Sequence, residues 1–94
     1  MLKHNSYFEG AVQSLGYTLD GRRQTVGVML PQAFHFSTAA AERMTVIAGT
    51  LRAKLPGGDW ISFLAGSSFE IPANSEFDVE ALEGPSAYLC EFLD

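Results

Sequence analysis

The sequence predicts an all-β protein, a small single-domain barrel of short antiparallel strands. Two segments, Leu51-Arg52-Ala53-Lys54-Leu55 and Phe77-Asp78-Val79-Glu80-Ala81, alternate apolar and polar residues as a half-buried strand does. Turn chemistry recurs at short intervals between such runs, and only one stretch has helical character. Regular short strands with frequent turns are the pattern of a sandwich or barrel.

In chain order, Asp20-Gly21 supplies the first turn. Thr38-Ala39-Ala40-Ala41-Glu42-Arg43-Met44 allows at most one helical turn, because the β-branched Thr45-Val46-Ile47 that follows resists its extension. The 51–55 strand ends at Pro56-Gly57-Gly58-Asp59, and Ala65-Gly66-Ser67-Ser68 and Pro72-Ala73-Asn74-Ser75 punctuate what comes next. Asn74 tolerates the left-handed geometry such a turn needs. Glu83-Gly84-Pro85-Ser86 closes the 77–81 strand. No repeat, low-complexity stretch or linker divides residues 1–94.

A chain of 94 residues can build one core. Its 47% apolar and 18% charged residues are a globular balance, outside the range of disorder. No apolar run approaches the roughly 20 residues of a membrane-spanning helix, and the N-terminus lacks a signal-peptide apolar region. A cytoplasmic protein is expected, and the lone Cys90 agrees with a reducing compartment. A net charge of −5 with no basic run excludes the footprint of a DNA- or RNA-binding surface and leaves a small molecule or a protein as partner.

Two glycine-anchored segments resemble the paired motifs of the cupin superfamily. The first runs from Gly27 through Ala33-Phe34-His35 to Glu42 and Gly49; the second is Gly66-Ser67-Ser68-Phe69-Glu70-Ile71-Pro72-Ala73-Asn74-Ser75-Glu76-Phe77. The resemblance implies a cupin-type (RmlC-like) β-barrel. In a metal-binding cupin, alternating histidines and a glutamate face the interior; here Ala33 and Phe77 take two of the ligand positions. His35 and Glu42 fall short of the three protein ligands of a catalytic metal site, so no metal is expected and a metal-dependent dioxygenase or isomerase is disfavoured.

A closer resemblance covers nearly the whole chain. Asn5-Ser6-Tyr7-Phe8-Glu9-Gly10, Ser14-Leu15-Gly16-Tyr17, Val26-Gly27-Val28-Met29, Phe36-Ser37-Thr38, Met44-Thr45-Val46, Leu55-Pro56 and Tyr88-Leu89-Cys90 are similar to the small bacterial pyrimidine/purine nucleoside phosphorylases. That resemblance implies a cupin-fold homodimer that cleaves purine and pyrimidine nucleosides with inorganic phosphate as co-substrate and no cofactor, releasing free base and ribose 1-phosphate. Two segments depart from the family pattern. Ala11 stands where a lysine is common, and Glu91-Phe92 where a basic residue and a tyrosine are frequent.

Phosphorolysis of an N-glycosidic bond needs an anion site beside C1′, stabilisation of an oxocarbenium-like transition state, and a hydrogen bond to the departing base. Arg23, Ser37 and Thr38 are the phosphate candidates, since guanidinium, hydroxyl and backbone N–H groups all bind oxyanions. Arg22 competes with Arg23, both could simply decorate the turn after Asp20-Gly21, and Ser37-Thr38 could instead cap the alanine turn. Glu42 could hold the ribose hydroxyls or the developing positive charge, or lie in solvent at a strand start. His35 could protonate the leaving base, or be an ordinary hydrogen-bonded barrel histidine. Tyr88 and Phe36 could stack on the nucleobase, with core packing as the alternative reading, and Glu76 is a weaker nucleoside contact because alternation turns it away from Phe77. Cys90 and Trp60 read as packing residues. The competing function is a metal-free binding module that holds a small molecule or anion without catalysis.

Overall fold

The structure, a computed structural model, describes residues 2–93. Eight strands form it: β1 (Lys3–Tyr7), β2 (Val12–Leu19), β3 (Arg22–Met29), β4 (Ala33–Ser37), β5 (Glu42–Lys54), β6 (Trp60–Leu64), β7 (Ser68–Ile71) and β8 (Glu76–Phe92). A 3-10 turn at Phe8–Gly10 joins β1 to β2. All pairings are antiparallel.

The long strands β5 and β8 are shared by two layers. Residues 42–48 of β5 and 86–92 of β8 belong to the layer β1-β2-β3-β8-β5-β7, whereas residues 50–54 and 76–82 belong to the layer β4-β8-β5-β6. Both strands bend where they change layer. On β5 the register shifts between Val46 and Thr50; on β8 Glu83 and Gly84 have φ of 60° and 134°. Gly49, at φ +81°, sits at the contact: an added Cβ would lie 2.7 Å from Ser86 Oγ and 2.9 Å from the Pro85 carbonyl. Only glycine lets the two bends pass at that distance.

Inward-facing residues of both layers make one core, with Leu51, Ala53, Val79, Val12, Val46 and Ile71 essentially inaccessible. The predicted alternations at 51–55 and 77–81 are observed, and Asn74 adopts φ 52° in its turn. Each layer keeps two edge strands, β1 and β7 in one and β4 and β6 in the other, so the barrel is not fully closed. Two expectations are corrected. The 38–44 segment forms no helical turn, because Glu42 to Met44 already pair with β7 and β8. Glu83-Gly84-Pro85-Ser86 does not end a strand; it is the bend inside the 17-residue β8.

Candidate functional site

A cavity of about 310 Å³ opens between the layers, large enough for a small-molecule site. Its inner wall is ordered in cross-strand rows, because directly opposed residues share a face. One row is Ser14, Gly27, Tyr88 and Val46; the next is Thr25, Cys90 and Met44. Gln24 pairs with Glu91, which brings Arg23 beside Phe92, and Phe92 pairs with Glu42. Arg23, Phe92 and Glu42 therefore form the last row, at the end of the barrel.

The opposite wall is aromatic. Phe36 and Phe77 stack at 5.9 Å with an interplanar angle of 24°, and Tyr7 meets Phe36 edge-on at 6.0 Å. Tyr88 lies across Gly27: a Cβ there would stand 2.6 Å from the phenol head, so glycine makes room for the ring. Burial pushes the Tyr88 hydroxyl up to about 12, with Ser14 as its hydrogen-bonding neighbour. At neutral pH that hydroxyl keeps its proton and is a donor.

Glu42 lines the cavity half-buried, and loss of solvent raises its carboxyl above the ordinary 4.5. Two contacts work the other way: a hydrogen bond donated by the Cys90 thiol, at 3.4 Å, and the positive charge of Arg23. Burial likewise pushes the Cys90 thiol up, so it is a donor and not a thiolate. Arg23 stacks its guanidinium on the Phe92 ring, 4.4 Å from the centroid. Arg22, Arg43 and Arg52 each face a carboxylate; Arg23 alone of the four arginines has no acidic partner within 4.0 Å among the described residues. Arg23 lines a recess with Ala39, Ala40, Ala41 and Leu93, which shares Ala39, Glu42 and Phe92 with the cavity.

Of the residues singled out from sequence, the structure brings Glu42, Tyr88, Phe36 and Ser37 to the cavity wall and Arg23 to the adjoining recess. Three others lie elsewhere. His35 pairs with Asp78 on the outer face of β4, half-exposed, with Nδ1 2.7 Å from the Asp78 carboxylate and Nε2 3.7 Å from Glu76. The bond to Asp78 holds the imidazole above its usual 6.5. The inward positions on β4 are Phe34 and Phe36, opposite the buried Val79 and Phe77, so the supposed ligand positions Ala33 and His35 point outward. Glu76 is exposed on that outer side, as alternation from Phe77 predicts. Thr38 uses its hydroxyl to tie β4 to the 72–75 turn, donating to the Pro72 carbonyl at 2.7 Å and accepting the Ser75 N–H at 3.0 Å. Missed in the sequence were Phe92, Thr25, Ser14 and the cavity-facing side of Cys90, although stepping by two from Tyr88 reaches Cys90 and Phe92.

A family profile described as pyrimidine/purine nucleoside phosphorylase matches residues 2–92. The chain belongs to the pyrimidine/purine nucleoside phosphorylase family. Relatives carrying that name include one from Anaeromyxobacter sp., 61% identical over 99% of this chain and 89% of its own, and one from Sorangium cellulosum, 57% identical over 99% and 100%. A crystal structure of a Vibrio parahaemolyticus protein described as of unknown function superposes with a TM-score of 0.94 at 46% identity, covering 99% of both chains. The Clostridium difficile EutQ protein (TM-score 0.73, 19% identity, 86% of this chain and 66% of its own) shares the cupin-like fold alone.

Proposed function

We propose that the cavity is a phosphorolysis site for nucleosides of both purine and pyrimidine bases, acting without a metal. The carrying observation is the Arg23–Phe92–Glu42 row beside an aromatic chamber, which sets a cation with no acidic partner among the described residues, a carboxylate and a base-stacking wall around one volume. The base stacks against Phe36 and Phe77, whose flat faces select for aromaticity and not for a particular ring. Tyr88 donates a hydrogen bond to the base, and Arg23 holds phosphate beside C1′. Phosphate oxygen attacks C1′ as the C1′–N bond breaks; the bonding pair leaves with the base, which takes up a proton. Glu42 stabilises the positive charge that develops on the sugar. Among the described residues no three His, Cys, Asp or Glu side chains are grouped as a metal site would need, and of those types only Glu42 and Cys90 line the cavity, which supports the metal-free reading. A buried free thiol at Cys90 fits a cytoplasmic setting.

The experiment is to incubate the pure protein with uridine, inosine and adenosine, with and without phosphate, and to measure released base. Release of purine and pyrimidine bases only when phosphate is present is the expected result. No release under either condition removes the proposal and leaves the binding module, and loss of activity with chelator removes metal independence.

The same reading includes a homodimer. Leu15, Val26 and Leu89 form one outward row across β2, β3 and β8, with Val28 next to it; Leu15, Val26 and Val28 are 40–50% exposed. The occupant we assign is a second copy. The border of this face carries Arg22 and Arg43 beside Glu91 and Glu70, a mixed-charge rim on which a two-fold related copy can exchange partners without like-charge repulsion.

A further inference from the structure

Arg23 and Glu42 carry opposite charges and stand in the same cross-strand row, yet they form no salt bridge. Phe92 lies between them on β8, in register with Glu42 on one side and under the Arg23 guanidinium on the other. A ring in that place does two things. It holds the guanidinium over its face, 4.4 Å from the centroid, where the ring itself takes no N–H donor into a salt bridge, and it stands in the carboxylate's direct approach.

We propose that Phe92 is a positioning residue that keeps Arg23 and Glu42 apart, leaving Arg23 free for an oxyanion and Glu42 free for the sugar. The inference rests on the reading of Arg23 as the phosphate site. An unobstructed pair would neutralise itself: the bridged guanidinium would lose donors to the carboxylate, and the carboxylate would lose the acceptors that the sugar requires. The Phe92 position is fixed from both ends of its strand segment, by the ladder to Glu42 and by the Leu93 N–H donating to the Ala41 carbonyl at 2.8 Å. Around Glu42, among the described residues, the titratable and charged groups that act on it are Arg23 on β3 and Cys90 and Tyr88 on β8; its β7 partner is Ile71, and the neighbouring loop is Ala39 to Ala41.

The test measures inorganic phosphate binding by calorimetry for the wild type, Phe92→Leu, Phe92→Tyr and Arg23→Ala, with thermal melting to verify folding. In the same proteins the titration of Glu42 is followed by carbon-13 NMR of its carboxyl. Phe92→Leu is expected to weaken phosphate about 10-fold, by the worth of a cation–π contact, and to move the Glu42 titration to lower pH as Arg23 closes on it. Phe92→Tyr retains the ring and is expected within about 3-fold of wild type. Nucleoside KM should change far less than phosphate KM. Phosphate affinity and Glu42 titration unchanged in Phe92→Leu would overturn the inference. So would a wild type that binds no phosphate. A wild type that binds phosphate and responds as expected, but releases no base, removes the phosphorolysis reading and leaves the positioning role standing.

Discussion

Glu42 is the residue on which the proposed chemistry and stability pull in opposite directions. Its carboxyl is raised mainly by burial, so the folded chain holds that proton more tightly than the unfolded chain does. Stability from this group therefore declines as pH rises above 4.5, through the interval up to its folded-state value. Glu42→Gln should remove that decline and leave the neutral-pH melting temperature equal or higher, while phosphorolysis falls about 100-fold. Thermal melting between pH 4 and pH 8 checks the first half and initial rates the second; parallel melting profiles for variant and wild type would refute the assignment. That Glu42 faces the cavity was legible in its spacing to Gly49. That His35 lies elsewhere was not, because the face of a β4 residue is set by its partner on β8. Phe34 opposite Val79 and Phe36 opposite Phe77 turn inward, and His35 goes out with Asp78. A one-residue offset between distant segments inverts every such assignment, and local alternation does not report it.

Strands β5 and β8 carry the site because each bends once. The bends let Glu42 and Phe92 reach one end of the barrel while Leu51 and Val79 fill the other layer of the core. Gly49→Ala should cost about 2–4 kcal/mol, combining left-handed backbone strain with the clash against Ser86 and Pro85. Gly57→Ala and Gly66→Ala, at positive φ but with open space, should cost about 1–2 kcal/mol each. Urea unfolding midpoints distinguish the two classes. The alternations at 51–55 and 77–81 revealed that these segments were strands. Their continuity through Gly49 and Glu83-Gly84 was hidden, because the same residues that make turns also make bulges.

At the scale of the molecule, two layers leave a chamber on the inside and an apolar row on the outside. Val26→Lys should convert a dimer to a monomer, read by light scattering after gel filtration, because a charge in the centre of an apolar face opposes pairing. An unchanged mass would refute the assigned face. All-β architecture was legible from periodicity and turns, and the family from motifs along the whole chain. The two-compartment shape, with Phe92 dividing chamber from recess, arises from register between β3, β8 and β5 and exists only in the folded state. The central claim is that phosphate held at Arg23 is transferred to the sugar of a nucleoside in the cavity. Phosphorus-31 NMR of the protein with inosine or uridine and inorganic phosphate measures that transfer directly. The account predicts a sugar 1-phosphate resonance growing in step with free base, and its loss in Arg23→Ala; base released with no phosphorylated sugar would contradict it.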